Sequence, residues 1–226
     1  MIGTIANTLA IIAGGIIGLF FKKVIPEKIS EALLKTIGLA VIAIGINLML
    51  TGENFTLLII SLVIGTVIGE GIDIERKLDT FGAFIESKMK NKESNVALGF
   101  VTGTLVYCVG SMAIVGSIQS GLTGNHEILF TKAVLDGITA ITFAATMGVG
   151  VIFSGISVLV YQGAITMLAS LMQSLLNPVV VSEMTAIGGV IIMGIGLNFV
   201  VANRMRVGNL LPSMFIPIIY YMILMR

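Results

Sequence analysis

Charged residues along this chain come in clusters separated by long apolar runs. No Asp, Glu, Lys or Arg occurs in Met1–Phe21, Thr36–Gly52, Phe55–Gly69, Ser94–His126, Gly137–Ser182, Met184–Asn203 or Val207–Met225. A helix needs about 20 apolar residues to cross the hydrocarbon of a bilayer, so most of these runs fit one crossing. Phe55–Gly69 is short and requires Glu70 at the interface. Gly137–Ser182 is too long for one crossing and suits part of two, starting near Phe130. The break is expected at Thr146–Gly150, where Gly148 and Gly150 lower helix propensity. The pattern predicts an all-α chain of eight transmembrane helices, at 2–21, 33–51, 55–71, 96–118, 130–147, 149–173, 184–203 and 207–225. Met1 leads into the first run without a basic segment, and Gly14-Gly15 interrupts it, so it reads as a permanent helix rather than a signal peptide. Pro212 and Pro217 are expected to kink the last helix.

One segment has a different period. Ile74, Leu78, Phe81, Ile85 and Met89 recur at helical spacing, with Arg76, Lys77, Asp79, Glu86, Lys88 and Lys90 between them. Residues 72–90 therefore read as an amphipathic helix on the membrane surface, or as an amphipathic linker packed on other loops.

Composition agrees with the pattern. Only 11% of the 226 residues are charged, 56% are hydrophobic, and mean hydropathy is +1.07. Soluble domains carry about 25% charged residues. This excludes a soluble enzyme, a disordered chain and a nucleic-acid binder. The net charge of +1 implies no polyanionic partner. The single cysteine, Cys108, cannot form an intramolecular disulfide, and the single histidine, His126, excludes a multi-His metal site.

Lysine and arginine set the expected orientation. With the N-terminus outside, loops 22–32, 72–95 and 203–207 are cytoplasmic. They and their flanks hold Lys22, Lys23, Lys28, Lys35, Arg76, Lys77, Lys88, Lys90, Lys92, Arg204 and Arg206, leaving Lys132 and Arg226 outside. The bias follows the positive-inside rule and supports an even number of crossings in the inner membrane.

Two stretches repeat. Ile37–Leu48 and Gly188–Phe199 align at an offset of 151, matching Gly38 with Gly189, Gly45 with Gly196 and Asn47 with Asn198. With one residue of slippage, Pro26 and Ser30-Glu31 precede the first as Pro178 and Ser182-Glu183 precede the second. Helices one to three thus resemble helices six to eight, with opposite polarity. The basic residues Lys22, Lys23 and Lys28 flank one end of the first copy, and Arg204 and Arg206 flank the other end of the second. The reading is one transmembrane domain, 1–226: unit one (1–71), the cytoplasmic amphipathic helix (72–95), central helices (96–147) and unit two (149–226). Inverted repeats recur in secondary transporters, whose sites lie near the midplane between the units.

Few polar groups fall inside the runs. Asp136 is the acidic residue well inside a span, with Lys132 four residues earlier on the same helix face. It reads either as an anchoring ion pair or as a proton or cation site. Helix four carries Ser111, Ser117, Gln119 and Ser120 among Gly110, Gly116 and Gly121. Asn7, Asn47 and Asn198 are carboxamides in apolar helices, either interhelical glue or, for the repeat-related pair, groups facing a common site. Tyr161 and Gln162 lie mid-span in helix six. Catalytic motifs, cofactor loops and paired intramembrane carboxylates are absent, so no enzyme activity and no cofactor are expected.

The run Cys108–Gly124, with Leu135–Ile141, Tyr161-Gln162-Gly163, the opening Met1-Ile2-Gly3-Thr4 and Gly208–Pro212, resembles a bacterial membrane-protein family numbered 554 among the domains of unknown function. The resemblance spans the chain. It implies a multi-spanning inner-membrane protein of the transporter kind and no substrate. The family often carries an acidic residue after Gly124, where this chain has Asn125. The expectation is a transporter of a small solute or ion, its site lined by Asn47, Asn198, Ser111, Ser117, Gln119, Asp136 and Gln162. A membrane scaffold that recruits a partner through 72–90, or a channel built by a homo-oligomer, are the alternatives.

Overall fold

The structure is a computed structural model that describes residues 1–22, 26–78, 80, 96–171, 176–201 and 205–224. The chain runs through α1 (Ile2–Lys22), α2 (Glu27–Met49), α3 (Phe55–Ile72), α4 (Val96–Cys108), α5 (Ser111–Thr123), α6 (Glu127–Met147), α7 (Gly150–Met167) and α8 (Pro178–Val200). A 3-10 helix (Val207–Phe215) and α9 (Ile216–Leu224) complete it. Residues 74–78 continue helically after Asp73. Most of the amphipathic helix expected at 72–90 lies outside the described residues, as does Arg204.

Among the described residues, six helices (α1, α2 from Glu31, α3, α6, α7 and α8) are long and apolar enough to cross a membrane. The pair α4 and α5 adds a seventh if it is one broken span. Their outward faces are apolar: α3 alone exposes Ile59, Ile60, Val63, Ile64, Val67 and Ile68. A contiguous apolar surface of that kind is stable in lipid, not in water.

Two expectations change in detail. The single helix predicted at 96–118 is two helices bent by 61°. The turn is at Gly110, whose φ of 116° is strained for any residue with a Cβ. The last helix is more than kinked: Pro212 lies inside a stretch of 3-10 helix, which becomes α-helical only from Ile216. A proline removes one N–H and crowds the preceding turn, so the α-ladder cannot run through it. The expected break between helices five and six is present, with Gly148 at φ 81° between α6 and α7.

We call the end of the bundle where α1 begins the top. α1 runs antiparallel to α7, with Gly15 against Ile152 and Asn7 against Gln162. α2 runs antiparallel to α8, and α3 to the 3-10 helix, with Gly65 against Ser213 and Gly69 against Asn209. α6 lies parallel to α1 (Gly14 on Gly137, Gly18 on Ile141), and α4 lies parallel to α7 (Gly99 on Val151, Gly103 on Ser154).

The α2–α8 contact is close for a stated reason. A Cβ on Gly38 would sit 2.9 Å from the Gly196 carbonyl oxygen, and one on Gly45 would sit 2.6 Å from that of Gly189. Glycine at all four positions lets backbone meet backbone. α8 is also the most enclosed helix, burying Ile187, Ile191, Ile192 and Ile195. At its top, the buried Glu183 accepts hydrogen bonds from the backbone N–H groups of Glu53 (3.0 Å) and Asn54 (2.9 Å). It thereby ties the start of α8 to the start of α3. At the bottom, Arg206 pairs with Glu70 (3.5 Å) and Asp73 (3.7 Å).

Candidate functional site

Three helices place polar side chains together inside the bundle. On α6, Lys132 and Asp136 are one turn apart and share a face. The Lys132 Nζ donates to both carboxylate oxygens, Oδ1 at 2.9 Å and Oδ2 at 2.8 Å. Each residue is 6% exposed, so neither ion can rely on water. From α1, Asn7 Nδ2 donates to Asp136 Oδ2 at 3.0 Å and to Gln162 Oε1 on α7 at 3.4 Å. One turn nearer the top, the hydroxyls of Thr4 and Thr166 meet at 3.4 Å and continue this polar seam.

The carboxylate fixes the amides. A carboxylate only accepts, so the Asn7 atom beside it is its NH2 group. That group then needs an acceptor on Gln162, so the Gln162 oxygen faces it. What remains is an Asn7 oxygen and a Gln162 NH2 group, both fully buried and without a hydrogen-bond partner. The Tyr107 hydroxyl at the end of α4 is a third such group; it lies near Thr139 without meeting hydrogen-bond geometry. The Thr139 hydroxyl in turn donates to the Asp136 carbonyl oxygen (3.0 Å), so Tyr107 and the break between α4 and α5 lie about one helical turn from the ion pair. Buried polar groups are nearly always paired in folded proteins, so three orphans beside one ion pair make this an incompletely satisfied polar cluster.

A second polar place lies toward the top. α5 presents Ser111, Val115, Ile118, Gln119 and Leu122 along one stripe to a crevice of about 580 Å³, completed by Thr51, Ser182 and Thr185. The Gln119 Oε1 is buried there without a partner. The opposite stripe of α5, with Gly116, Ser117 and Ser120, faces inward; Gly116 packs on Ile128 and Leu129 of α6. Ser120 bonds His126 at 2.8 Å, and the fully buried Ser117 hydroxyl has no partner. α5 thus separates the crevice from most of α6, whose Ile128 alone reaches the crevice lining among the described residues. It begins after Gly110 (φ 116°) and ends at Gly124 (φ 68°), two positions at which glycine tolerates backbone conformations other residues avoid. A larger, almost wholly apolar cavity of about 670 Å³ lies beside Phe100, Cys108, Phe153, Tyr161 and Met214.

The residues expected to line one site fall into three groups. Asp136 and Gln162 meet at the ion pair. Ser111 and Gln119 line the crevice, and Ser117 is buried behind them. Asn47 and Asn198 do not meet at all. The antiparallel pairing sets Gly38 opposite Gly196, so Asn198 lies level with residue 36. Eleven residues of helix, about 16 Å at 1.5 Å each, then separate it from the level of Asn47. Asn47 is exposed, and Asn198 is engaged with the Met205 backbone, donating to its oxygen (2.8 Å) and accepting from its N–H (2.7 Å). Repeat-equivalent residues in an antiparallel pair meet only at the crossing point, and these two lie away from it. Asn7 and Tyr107 belong to the site without having been singled out for it. Asn7 is the one carboxamide in an otherwise apolar α1, a signal that sequence alone gives no partner for.

Taken together, an apolar helical bundle with a broken helix beside a buried ion pair defines a polytopic membrane protein with an internal polar site. The chain belongs to a family described as proteins of unknown function, DUF554, whose model matches residues 2–222. An uncharacterized membrane protein of Bacillus subtilis, YdfK, is 37% identical over 96% of this chain and 94% of its own length. An uncharacterized protein of Escherichia coli, YqgA, is 28% identical over 95% and 93%. No solved structure matches.

Proposed function

We propose that this protein is a secondary transporter of a small solute or ion, and that the solute binds at Lys132, Asp136, Asn7 and Gln162. The observation that carries the reading is the set of unpartnered, fully buried polar groups around a buried ion pair. An ion pair that merely anchored a helix would sit at an interface with its neighbours satisfied. In the membrane interior, a charged pair is costly and usually functional.

The arrangement of helices supports the same reading. Each helix of the first unit lies antiparallel to its expected mate in the second: α1 with α7, α2 with α8, α3 with the 3-10 helix that leads into α9. The glycines matched between the repeats make the α2–α8 contact reciprocally, Gly38 on Gly196 and Gly45 on Gly189. This is the contact a two-fold axis in the membrane plane generates. With α4–α5 as one broken crossing and the 3-10 helix and α9 as another, the chain crosses eight times. The positive-inside rule puts the top outside. Lys22, Lys28, Arg76, Lys77 and Arg206 then all lie at the cytoplasmic end. In this reading α5, hinged at Gly110 and Gly124, gates the outer crevice against the ion pair.

The test is thermal stability of the purified protein in detergent against ions, organic acids, amino acids and nucleobases. A ligand at one hundred times its Kd stabilises the folded state by about 2.7 kcal/mol. The proposal expects a dose-dependent shift that Asn7→Leu and Gln162→Leu abolish and that Asn47→Leu leaves intact. A ligand whose shift survives both site variants would overturn the assignment of the site.

A further inference from the structure

We infer that the solute is a small monovalent anion taken up together with one proton. This rests on the transport reading above and adds a substrate class to it. The first argument is a charge count. Lys132 and Asp136 form a pair of zero net charge, buried to 6% exposure on both sides. Adding an ion alone leaves an uncompensated charge in a medium where that is expensive. An anion arriving with a proton keeps the count at zero. The proton sits on Asp136, the Nζ–H bonds of Lys132 pass from the carboxylate to the anion, and loss of both restores the pair.

The second argument is the chemistry of the unpartnered groups. The position where a metal cation would bind between oxygens is already held by the Lys132 ammonium, with two hydrogen bonds to the carboxylate. The free groups beside it offer two donors, the Gln162 NH2 and the Tyr107 hydroxyl (which can also accept), and one group that only accepts, the Asn7 oxygen. Donors call for an acceptor-rich ligand, and a monovalent oxyanion is the smallest that uses them with Lys132. The remaining acceptor, on Asn7, suits the proton of Asp136 or of the ligand.

Few other titratable groups act there. α4 contributes Tyr107 and Cys108. α1 and α7 contribute the neutral Asn7 and Gln162; α7 also carries Tyr161 on the Cys108 side, and His126, at the start of α6, is engaged with Ser120 of α5. α2 has no charge between Thr36 and Met49. A single proton on Asp136 is therefore the one that the count requires.

The experiment uses the full-length protein in liposomes loaded with a pH dye, with a potential-sensitive dye in parallel and empty liposomes as the blank. Nitrate, formate, lactate and inorganic phosphate are applied as gradients, then sodium and potassium. The inference expects at least one of these anions to acidify the lumen, one proton per anion, with no change of membrane potential. Apparent affinity should fall tenfold per pH unit in the alkaline range. In Asp136→Asn, which mimics the protonated state, affinity should lose its pH dependence and the anion should carry current. If that variant does not fold, the proton-to-anion ratio of the wild type decides alone. Proton movement driven by sodium or potassium would overturn the anion class and leave transport standing. Anion flux carrying charge in the wild type would overturn the proton pairing. No response to any of the four anions would overturn the inference; a neutral solute that stabilises the protein in the ligand screen would still uphold the site.

Discussion

Replacing Lys132 by methionine keeps most of the side-chain volume and removes the cation from a carboxylate that is 6% exposed. At the observed 2.8 Å and an effective dielectric of 20, the lost attraction is about 6 kcal/mol before solvation is counted. The stranded Asp136 has a less costly escape, which is to take up a proton. From an ordinary carboxylate pKa of about 3.9, holding that proton at pH 7 costs about 4 kcal/mol. The destabilisation of Lys132→Met at pH 7 is therefore expected at about 3–4 kcal/mol, within the range for breaking a buried pair. Its sign with pH follows. The folded variant binds a proton that the unfolded chain has lost above about pH 4, so its deficit relative to wild type grows as pH rises from 4 to 7, by about 1.4 kcal/mol per unit. Asp136→Asn strands Lys132 instead and should cost a comparable amount. The double variant Lys132→Met/Asp136→Asn buries no charge and should cost only about 1 kcal/mol, giving a coupling energy of about 6 kcal/mol. The assay is reversible unfolding in mixed micelles at several pH values, run as a double-mutant cycle. Single variants that cost under 1 kcal/mol, or costs that simply add, would refute the argument that the pair is buried and shielded from water.

Other perturbations test the frame around the pair. Gly45→Ala brings a Cβ to 2.6 Å from the Gly189 oxygen, so α2 and α8 must separate by about 0.8 Å to reach ordinary contact; a loss of about 1–3 kcal/mol is expected in the same unfolding assay. Gly71→Ala, with open space around its Cβ, should be neutral or slightly stabilising and serves as the control. Gly110→Ala forces a Cβ into φ 116° and should cost about 1–3 kcal/mol; a neutral result would show that the turn between α4 and α5 does not depend on that conformation. Asn198→Leu removes two hydrogen bonds to the Met205 backbone and should lower stability by about 1–3 kcal/mol while leaving ligand shifts untouched.

Much of the architecture was legible because lipid imposes it. The spacing of charges located α1, α3 and α6 to α8, and Gly148 marked the break between α6 and α7. The Gly38, Gly45, Gly189 and Gly196 matches read only as a repeat; that these glycines also meet across α2 and α8 came from the structure. The bend at Gly110 was not legible. A glycine within an apolar run reads equally as packing or as a turn, and only φ separates the two. The 3-10 stretch around Pro212 was half legible, because a proline announces a disturbance and not its form. At the site, Lys132 and Asp136 follow from helical spacing alone. Gln162 and Asn7 do not, because their meeting depends on how α1 and α7 cross, which no local pattern records. The Asn47 and Asn198 pairing misled for the same geometric reason: similarity between repeats locates equivalent positions, and antiparallel packing then moves them to opposite ends.

The central claim is that a polar solute gains access to the buried ion pair inside the bundle. Cys108 is the chain's only cysteine, is partly exposed on the wall of the apolar cavity beside Phe153 and Tyr161, and lies at the α4–α5 break next to Tyr107. The most direct measurement is its labelling by a small, charged, membrane-impermeant thiol reagent, in right-side-out and inside-out vesicles, with detergent-unfolded protein as the full-labelling standard. The account predicts labelling from both sides, each slower than the standard, and protection by any ligand that stabilises the protein. Complete resistance from both sides, with the standard fully labelled, would contradict it and leave the buried pair as a structural anchor.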